Sequence, residues 1–158
     1  MSACRGPKGP HPAECSESAV SPVTTPLAPT VSRPPYRIAI NGYGRICRCY
    51  LRALHEAGLG ELFRVVAINE PADLASIAYL TRFDSTHGRF HGAVDCTEDA
   101  LIVDDQPIIV SHAHTPEEVD WEALGIDLLV ECSGQYGSRS ELARFLAAGC
   151  PRLLLSHP

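Results

Sequence analysis

Asn41-Gly42-Tyr43-Gly44-Arg45-Ile46-Cys47 has the residue types of a turn that grips an anion, and Glu70 is an acid suited to gripping a sugar. Such binding needs backbone more than side chains. Gly42 permits a tight turn, and Gly44 lets a phosphate reach the main chain with no side chain in the way. A helix opening at Arg45 and Ile46 offers free N–H groups and a positive dipole end to a diphosphate. An acid at the tip of the next strand accepts hydrogen bonds from ribose hydroxyls. The third small position of the turn, where helix and strand pack closely, is Cys47 rather than glycine. A plain βα turn has a similar composition, so the surrounding frame must separate the two.

That frame is present. Tyr36-Arg37-Ile38-Ala39-Ile40 reads as a buried strand, and Ile46, Tyr50, Leu51 and Leu54 recur at helical spacing. A second strand, Phe63 to Ile68, ends at Asn69-Glu70. Strand, glycine turn, helix, strand and terminal acid compose the mononucleotide half of a dinucleotide-binding fold. Pro71 breaks the strand, and Asp73 caps a short helix with Leu74, Ile77, Ala78 and Leu80 on its apolar face. The polar stretch from Arg82 to Phe90 suits either a functional loop or a solvated connector. Leu101–Val103 and Pro107–Val110 flank Asp104-Asp105-Gln106 as a hairpin. Thr115-Pro116-Glu117-Glu118 opens a helix expected to run through Trp121 and Leu124. Ile126–Val130 is a further strand, ending in the small-residue turn Glu131-Cys132-Ser133-Gly134. Ser138 and Glu141 cap a helix with Leu142, Phe145 and Leu146 on one face, and Arg152–Ser156 closes the chain as a strand. The expected architecture is a Rossmann-type, doubly wound α/β domain over 36–158. Its mainly parallel sheet is interrupted by an antiparallel hairpin, with the last strand and any catalytic domain absent.

The totals narrow the function classes. With 158 residues, 45% apolar and 20% charged, the chain is long enough for a core and ordinary for a globular domain. A net charge of −6 argues against nucleic acid, which calls for a basic stripe. Lys8 is the only lysine, so phosphate contacts fall to arginine or to backbone N–H groups. No apolar run reaches membrane-spanning length. Seven cysteines, odd in number and irregularly spaced, read as reduced thiols of a cytoplasmic protein rather than a disulfide framework or zinc site. Residues 1–35 hold eight of the thirteen prolines and read as a disordered tail, or as a segment added by an upstream translation start. They lack the apolar core of a secretory signal and the Arg-rich composition of a transit peptide.

At these residues the chain resembles the N-terminal part of the glyceraldehyde-3-phosphate dehydrogenase superfamily. The glycine turn, Val65-Val66-Ala67-Ile68-Asn69 and Asp84-Ser85-Thr86-His87-Gly88-Arg89-Phe90 carry the likeness, which covers Tyr36 to Pro158. Within the superfamily it is most similar to the bacterial D-erythrose-4-phosphate dehydrogenases. The segments are Glu70-Pro71-Ala72-Asp73-Leu74-Ala75, Tyr79-Leu80-Thr81-Arg82-Phe83, Ser133-Gly134-Gln135-Tyr136-Gly137-Ser138-Arg139 and Ser156-His157-Pro158. The resemblance implies a cytoplasmic homotetramer that uses NAD to oxidise D-erythrose 4-phosphate to 4-phosphoerythronate, feeding pyridoxal phosphate synthesis. It implies cofactor contacts at Asn41, Gly42, Gly44, Arg45 and Ile46, at Glu70 on the adenosine ribose, at Ser133 and Gly134, and at Ser156 near the nicotinamide. His114 stands where many members carry a cofactor-contacting arginine. The family's nucleophilic cysteine, in Ser-x-x-Cys-Thr-Thr-Asn surroundings, lies beyond Pro158, as do its catalytic histidine and phosphate-binding residues. The chain is therefore expected to bind NAD, to meet a phosphorylated aldose only with that half present, and to be inactive alone.

Two other readings stay open: the same portion of a glyceraldehyde-3-phosphate dehydrogenase, and a non-enzymatic truncated product or interaction module. No catalytic residue or metal ligand is assigned. Cys132, at a strand's end, is expected to be a small core residue rather than an activated thiol. Cys47 and Cys49 diverge on their helix, and His112 and His114 alternate along an apparent strand. His87 is expected to pack the polar loop onto the cofactor domain.

Overall fold

The computed structural model describes residues 35–156, so the tail expected over 1–35 lies, Pro35 apart, outside the described residues. In chain order the elements are β1 (Tyr36–Asn41), α1 (Arg45–Glu56), β2 (Phe63–Asn69), α2 (Leu74–Arg82), β3 (Phe83–Asp84) and β4 (Gly88–Arg89). There follow β5 (Val94–Cys96), β6 (Ala100–Val103), β7 (Gln106–Ser111), β8 (Leu128–Glu131), α3 (Arg139–Ala147) and β9 (Leu153–Leu155). Single 3-10 turns occur at Leu59–Glu61 and Pro116–Glu118.

Seven strands form one sheet in the order β5-β6-β7-β2-β1-β8-β9. β1 pairs in parallel with β2 and β8, β2 with β7, and β8 with β9. The stretch β5-β6-β7 is antiparallel. β6 and β7 join through Asp104 and Asp105, both at positive φ, the backbone a two-residue hairpin needs to match strand twist. The expected fold class holds: a Rossmann-type, mostly parallel sheet carrying an antiparallel hairpin.

Central strands buried on both faces must be apolar at every position, which explains runs without alternation. On one face Ile40, Val65, Ile68 and Leu101 pack with Cys47 and Leu51 of α1 and Ile77 and Ala78 of α2. On the other, Ala39, Val66, Ala67 and Leu129 pack with Trp121 and with Phe145 of α3. Among the described residues no helix is long and apolar enough to cross a membrane.

Several expectations need correction. Ile46, Leu80 and Leu146 are exposed, because each helix turns a neighbouring set of residues to the sheet. The helix expected from Thr115 stops after Glu118, although its capping box forms. Val119 leaves the turn in an extended conformation, and the Trp121 N–H donates back to Val119 O at 3.0 Å, a three-residue turn that buries both side chains and ends the helix. β7 ends at Ser111, so His112 and His114 are not on a strand. β5 and the small β3–β4 ribbon were not anticipated. Finally, Cys47 and Cys132 form a disulfide, contrary to the expectation of free thiols throughout. Pairing of β1 with β8 sets the turns that follow them side by side, and the Cys132 N–H donates to Asn41 O at 2.8 Å.

Phe145 is fully buried between Trp121 and Tyr136, with ring centroids 6.2 and 4.9 Å away. Phe145→Ala is expected to cost about 3–5 kcal/mol, since the surrounding sheet cannot collapse into the space. Urea denaturation measures this, and a loss below about 1 kcal/mol would contradict the core role given to α3.

Candidate functional site

From β1 the chain winds outward to β2, and from β8 it winds the other way to β9, so strand order reverses between β1 and β8. Parallel sheets leave a ligand crevice outside the carboxyl ends of the strands at such a point. Here a crevice of about 210 Å³ opens, lined by Asn41, Gly42, Gly44, Asn69, Glu70, Pro71, Ala113, His114, Cys132, Ser133, Gln135 and Tyr136. A second hollow of about 230 Å³ lies at the opposite end of β2, walled by Leu51, Leu54, Phe63, His55 and Asp104. It meets α1 at its C-terminal half, through Leu51, Leu54 and His55, and His55 Nδ1 lies 2.7 Å from Asp104 Oδ2.

The floor of the crevice is a buried polar cluster joining four strand ends. Asn41 Nδ2 donates to Glu131 Oε2, and Asn69 Nδ2 donates to Asn41 Oδ1 at 2.8 Å. Asn69 Oδ1 accepts from Ser111 Oγ and from the Ala113 N–H, both at 2.9 Å. Glu131 Oε1 accepts from the Ser133 N–H at 2.7 Å and from Ser133 Oγ. Glu131 is wholly buried, and such a group is tolerable only because donors reach both its oxygens.

Above this floor the glycine turn is held from both sides. Gly42 has φ +83°, and a Cβ there would stand 2.4 Å from Ser133 Cα. Gly44 is different: its φ of −72° suits any residue, and a Cβ would meet nothing within 4 Å. Among the described residues nothing requires a glycine at 44. Between them Tyr43 plunges into the core, its hydroxyl 3.1 Å from Thr81 Oγ1 and its pKa pushed up to about 12 by burial. Glu70 Oε2 accepts from the Tyr43 N–H at 2.7 Å, while its Oε1 has only a 3.4 Å contact with the Ala72 N–H. One carboxylate oxygen thus braces the turn and the other faces the crevice almost unspent.

Of the residues singled out from sequence, Asn41, Gly42, Gly44, Glu70 and Ser133 line the crevice together. Arg45 and Ile46 follow as the first residues of α1, both exposed, with their N–H groups at its open end. Gly134, at φ +73°, and Ser156 lie outside the lining; the Ser156 N–H bonds Glu131 O at 3.0 Å. His114 lines the crevice, whereas the His112 ring donates to Glu70 O at 2.8 Å, so the two histidines part company. The polar loop is ordered around Asp84. N–H groups of His87 and Thr86 hold its carboxyl well below the usual range, and the His87 ring lies 3.7 Å from Cys49 Sγ on α1. Asn69, Glu131 and Tyr43 were missed as site residues. The available signal was a polar residue closing each apolar strand.

In sequence comparison, the family described as glyceraldehyde 3-phosphate dehydrogenase, NAD binding domain, matches residues 36–139. The span includes every residue that lines the crevice.

The two glycines should respond unequally to a methyl group. Gly42→Ala is expected to destabilise by about 3 kcal/mol or more, combining left-handed strain with collision against Ser133. Gly44→Ala should cost about 1 kcal/mol or less, the ordinary effect of alanine at a helix N-cap. Thermal unfolding of both variants checks the contrast, and equal losses would contradict it.

Proposed function

The chain belongs to the glyceraldehyde 3-phosphate dehydrogenase family, of which it carries the NAD-binding domain, and on that premise we propose how NAD is held and which aldehyde it serves. NAD is the cofactor, and in the family's reaction it takes the hydride from the aldehyde carbon. The observation that carries the assignment is the open approach to Gly44 beside the start of α1. A glycine with no packing reason, next to unpartnered helix N–H groups, suits a diphosphate that must come within contact of the backbone.

In this reading Gly42 and Gly44 bring the pyrophosphate to the N–H groups of Arg45 and Ile46, over a floor fixed by Asn41. Glu70 receives the adenosine ribose hydroxyls on its freer oxygen and repels a 2′-phosphate. Ser133 stands in the opposite wall, Gly134 follows it at the edge of the cofactor's path, and Ser156 approaches the nicotinamide end. The substrate we assign is D-erythrose 4-phosphate, oxidised to 4-phosphoerythronate in the cytoplasm for pyridoxal phosphate synthesis. The segments Glu70–Ala75, Tyr79–Phe83 and Ser133–Arg139 support that choice over glyceraldehyde 3-phosphate. We assign a homotetramer as the working assembly; exposed Tyr79, Leu80 and Phe83, beside Arg45 and Arg48, support a covered face there.

Three outcomes are expected. NAD should bind the purified chain about tenfold or more tightly than NADP, because like charges meet at Glu70. Equal affinities in a fluorescence titration would contradict the role given to that acid. Gly44→Val should fold yet lose NAD binding, and unchanged affinity would refute the pyrophosphate placement. With the gene extended past Pro158, NADH formation should be faster from erythrose 4-phosphate than from glyceraldehyde 3-phosphate; the reverse order would assign the glycolytic substrate instead.

A further inference from the structure

We propose that the Cys47–Cys132 pair is a thiol–disulfide switch on the cofactor crevice, with the oxidised form binding NAD more tightly. The inference rests on the assignment of that crevice to NAD. Its two sulfurs belong to the two turns that form the walls. Cys47 is the third residue of α1, directly beneath the helix end assigned to the diphosphate, and Cys132 lines the crevice between Glu131 and Ser133. The fold does not need the bond to bring these turns together, since β1 and β8 are already paired and Gly42 already touches Ser133. What the bond adds is a fixed separation between the walls.

The two sulfurs are unequally reachable. Cys47 is fully buried, while Cys132 is half-buried on the crevice side, so a soluble thiol meets Cys132 first. The other cysteines among the described residues are free: Cys96 is exposed, Cys49 faces His87, and Cys150 is buried. In a cytoplasmic chain a disulfide of this kind is ordinarily transient and redox-responsive rather than structural.

Oxidation begins with attack of the Cys132 thiolate on a low-molecular-weight disulfide such as oxidised glutathione. One glutathione thiolate leaves, and the Cys47 thiolate then displaces the second from the mixed disulfide. Two protein thiols lose two protons and two electrons, and oxidised glutathione becomes two glutathiones. Reduction reverses each step through an incoming thiol in the crevice. Once the bond is cut, the sulfurs must retreat to van der Waals separation. Cys47 is fully buried beneath the turn and Cys132 borders the crevice, so the thiol of Cys132 moves toward the crevice or the walls spread. Either change takes space or alignment from the diphosphate, and a preorganised site is lost.

The coupling must be reciprocal. NAD that favours the oxidised form by a given factor makes the disulfide harder to reduce by the same factor.

The test is NAD titration of the whole chain, oxidised with oxidised glutathione or reduced with a phosphine, with peptide mapping of the Cys47–Cys132 link in each sample. The expected result is affinity about fivefold or more higher when oxidised. In glutathione redox buffers, saturating NAD should lower the pair's midpoint potential by about 20 mV, that factor converted for two electrons. Cys49→Ser should keep the response and Cys47→Ser should abolish it; should Cys47→Ser not fold, the reduced unaltered chain carries the same comparison. Equal affinity in both forms, or tighter binding when reduced, overturns the switch and leaves the NAD site standing. Failure to find the linked peptide under any oxidant also overturns it. Absence of NAD binding in both forms overturns the site assignment and the switch together.

Discussion

Everything at the crevice depends on how Asn41, Asn69 and Glu131 are satisfied. These three side chains end β1, β2 and β8, and all are buried. A buried amide or carboxyl group without partners costs several times what a hydrogen bond contributes, so the cluster holds only if each member finds the others. Asn41 is the hinge of the arrangement, donating to Glu131 on one side and accepting from Asn69 on the other. Because each member's donors and acceptors are answered by the ends of neighbouring strands, the strands cannot slip in register without stranding several groups at once. The register also sets the height at which the glycine turn leaves β1.

The turns inherit that geometry. Glu131 holds Ser133 through both its N–H and its hydroxyl, and Ser133 in turn abuts Gly42 so closely that no Cβ fits. Asn69 holds the chain beyond β7 through Ala113, placing His114 at the rim. Glu70 reaches back to the Tyr43 N–H, and the Tyr43 ring is pinned beside Thr81. The walls of the crevice are therefore rigid before any ligand arrives, which is the condition for backbone N–H groups to bind an anion without reorganising. Gly44, in the middle of so constrained a segment, is exposed, and a Cβ there would meet nothing within 4 Å among the described residues.

The fold class and the first β-α-β unit were legible because their signals are local: uninterrupted apolar runs, two glycines, and an acid after a strand. Caps at Asp73 and Ser138 were legible for the same reason, each being a side chain that bonds its own first turn. Helix faces were less so. Ile46, Leu80 and Leu146 sit at spacings compatible with burial, and only the position of the sheet decides which side of the apolar stripe is covered. The floor of the site was illegible for a different reason. Asn41, Asn69 and Glu131 each look like an ordinary polar strand end, and their meeting depends on register between strands up to 90 residues apart. The same holds for Cys47 and Cys132, separated by 85 residues.

At the position of Cys47 the dinucleotide fingerprint asks for a third glycine, so that helix and strand can approach closely. A cysteine at such a point has nowhere to put its sulfur except along the seam between α1 and the sheet. That seam opens toward the end of β8, where the next side chain is Cys132. The Cα atoms of the two residues lie 6.5 Å apart, within the span a disulfide covers without moving the backbone. Close approach, which normally excludes a side chain, here supplies the proximity that turns two thiols into one bond. The departure from glycine is thus accommodated by chemistry rather than by widening the turn, and β1, α1 and β8 keep the geometry that the crevice requires.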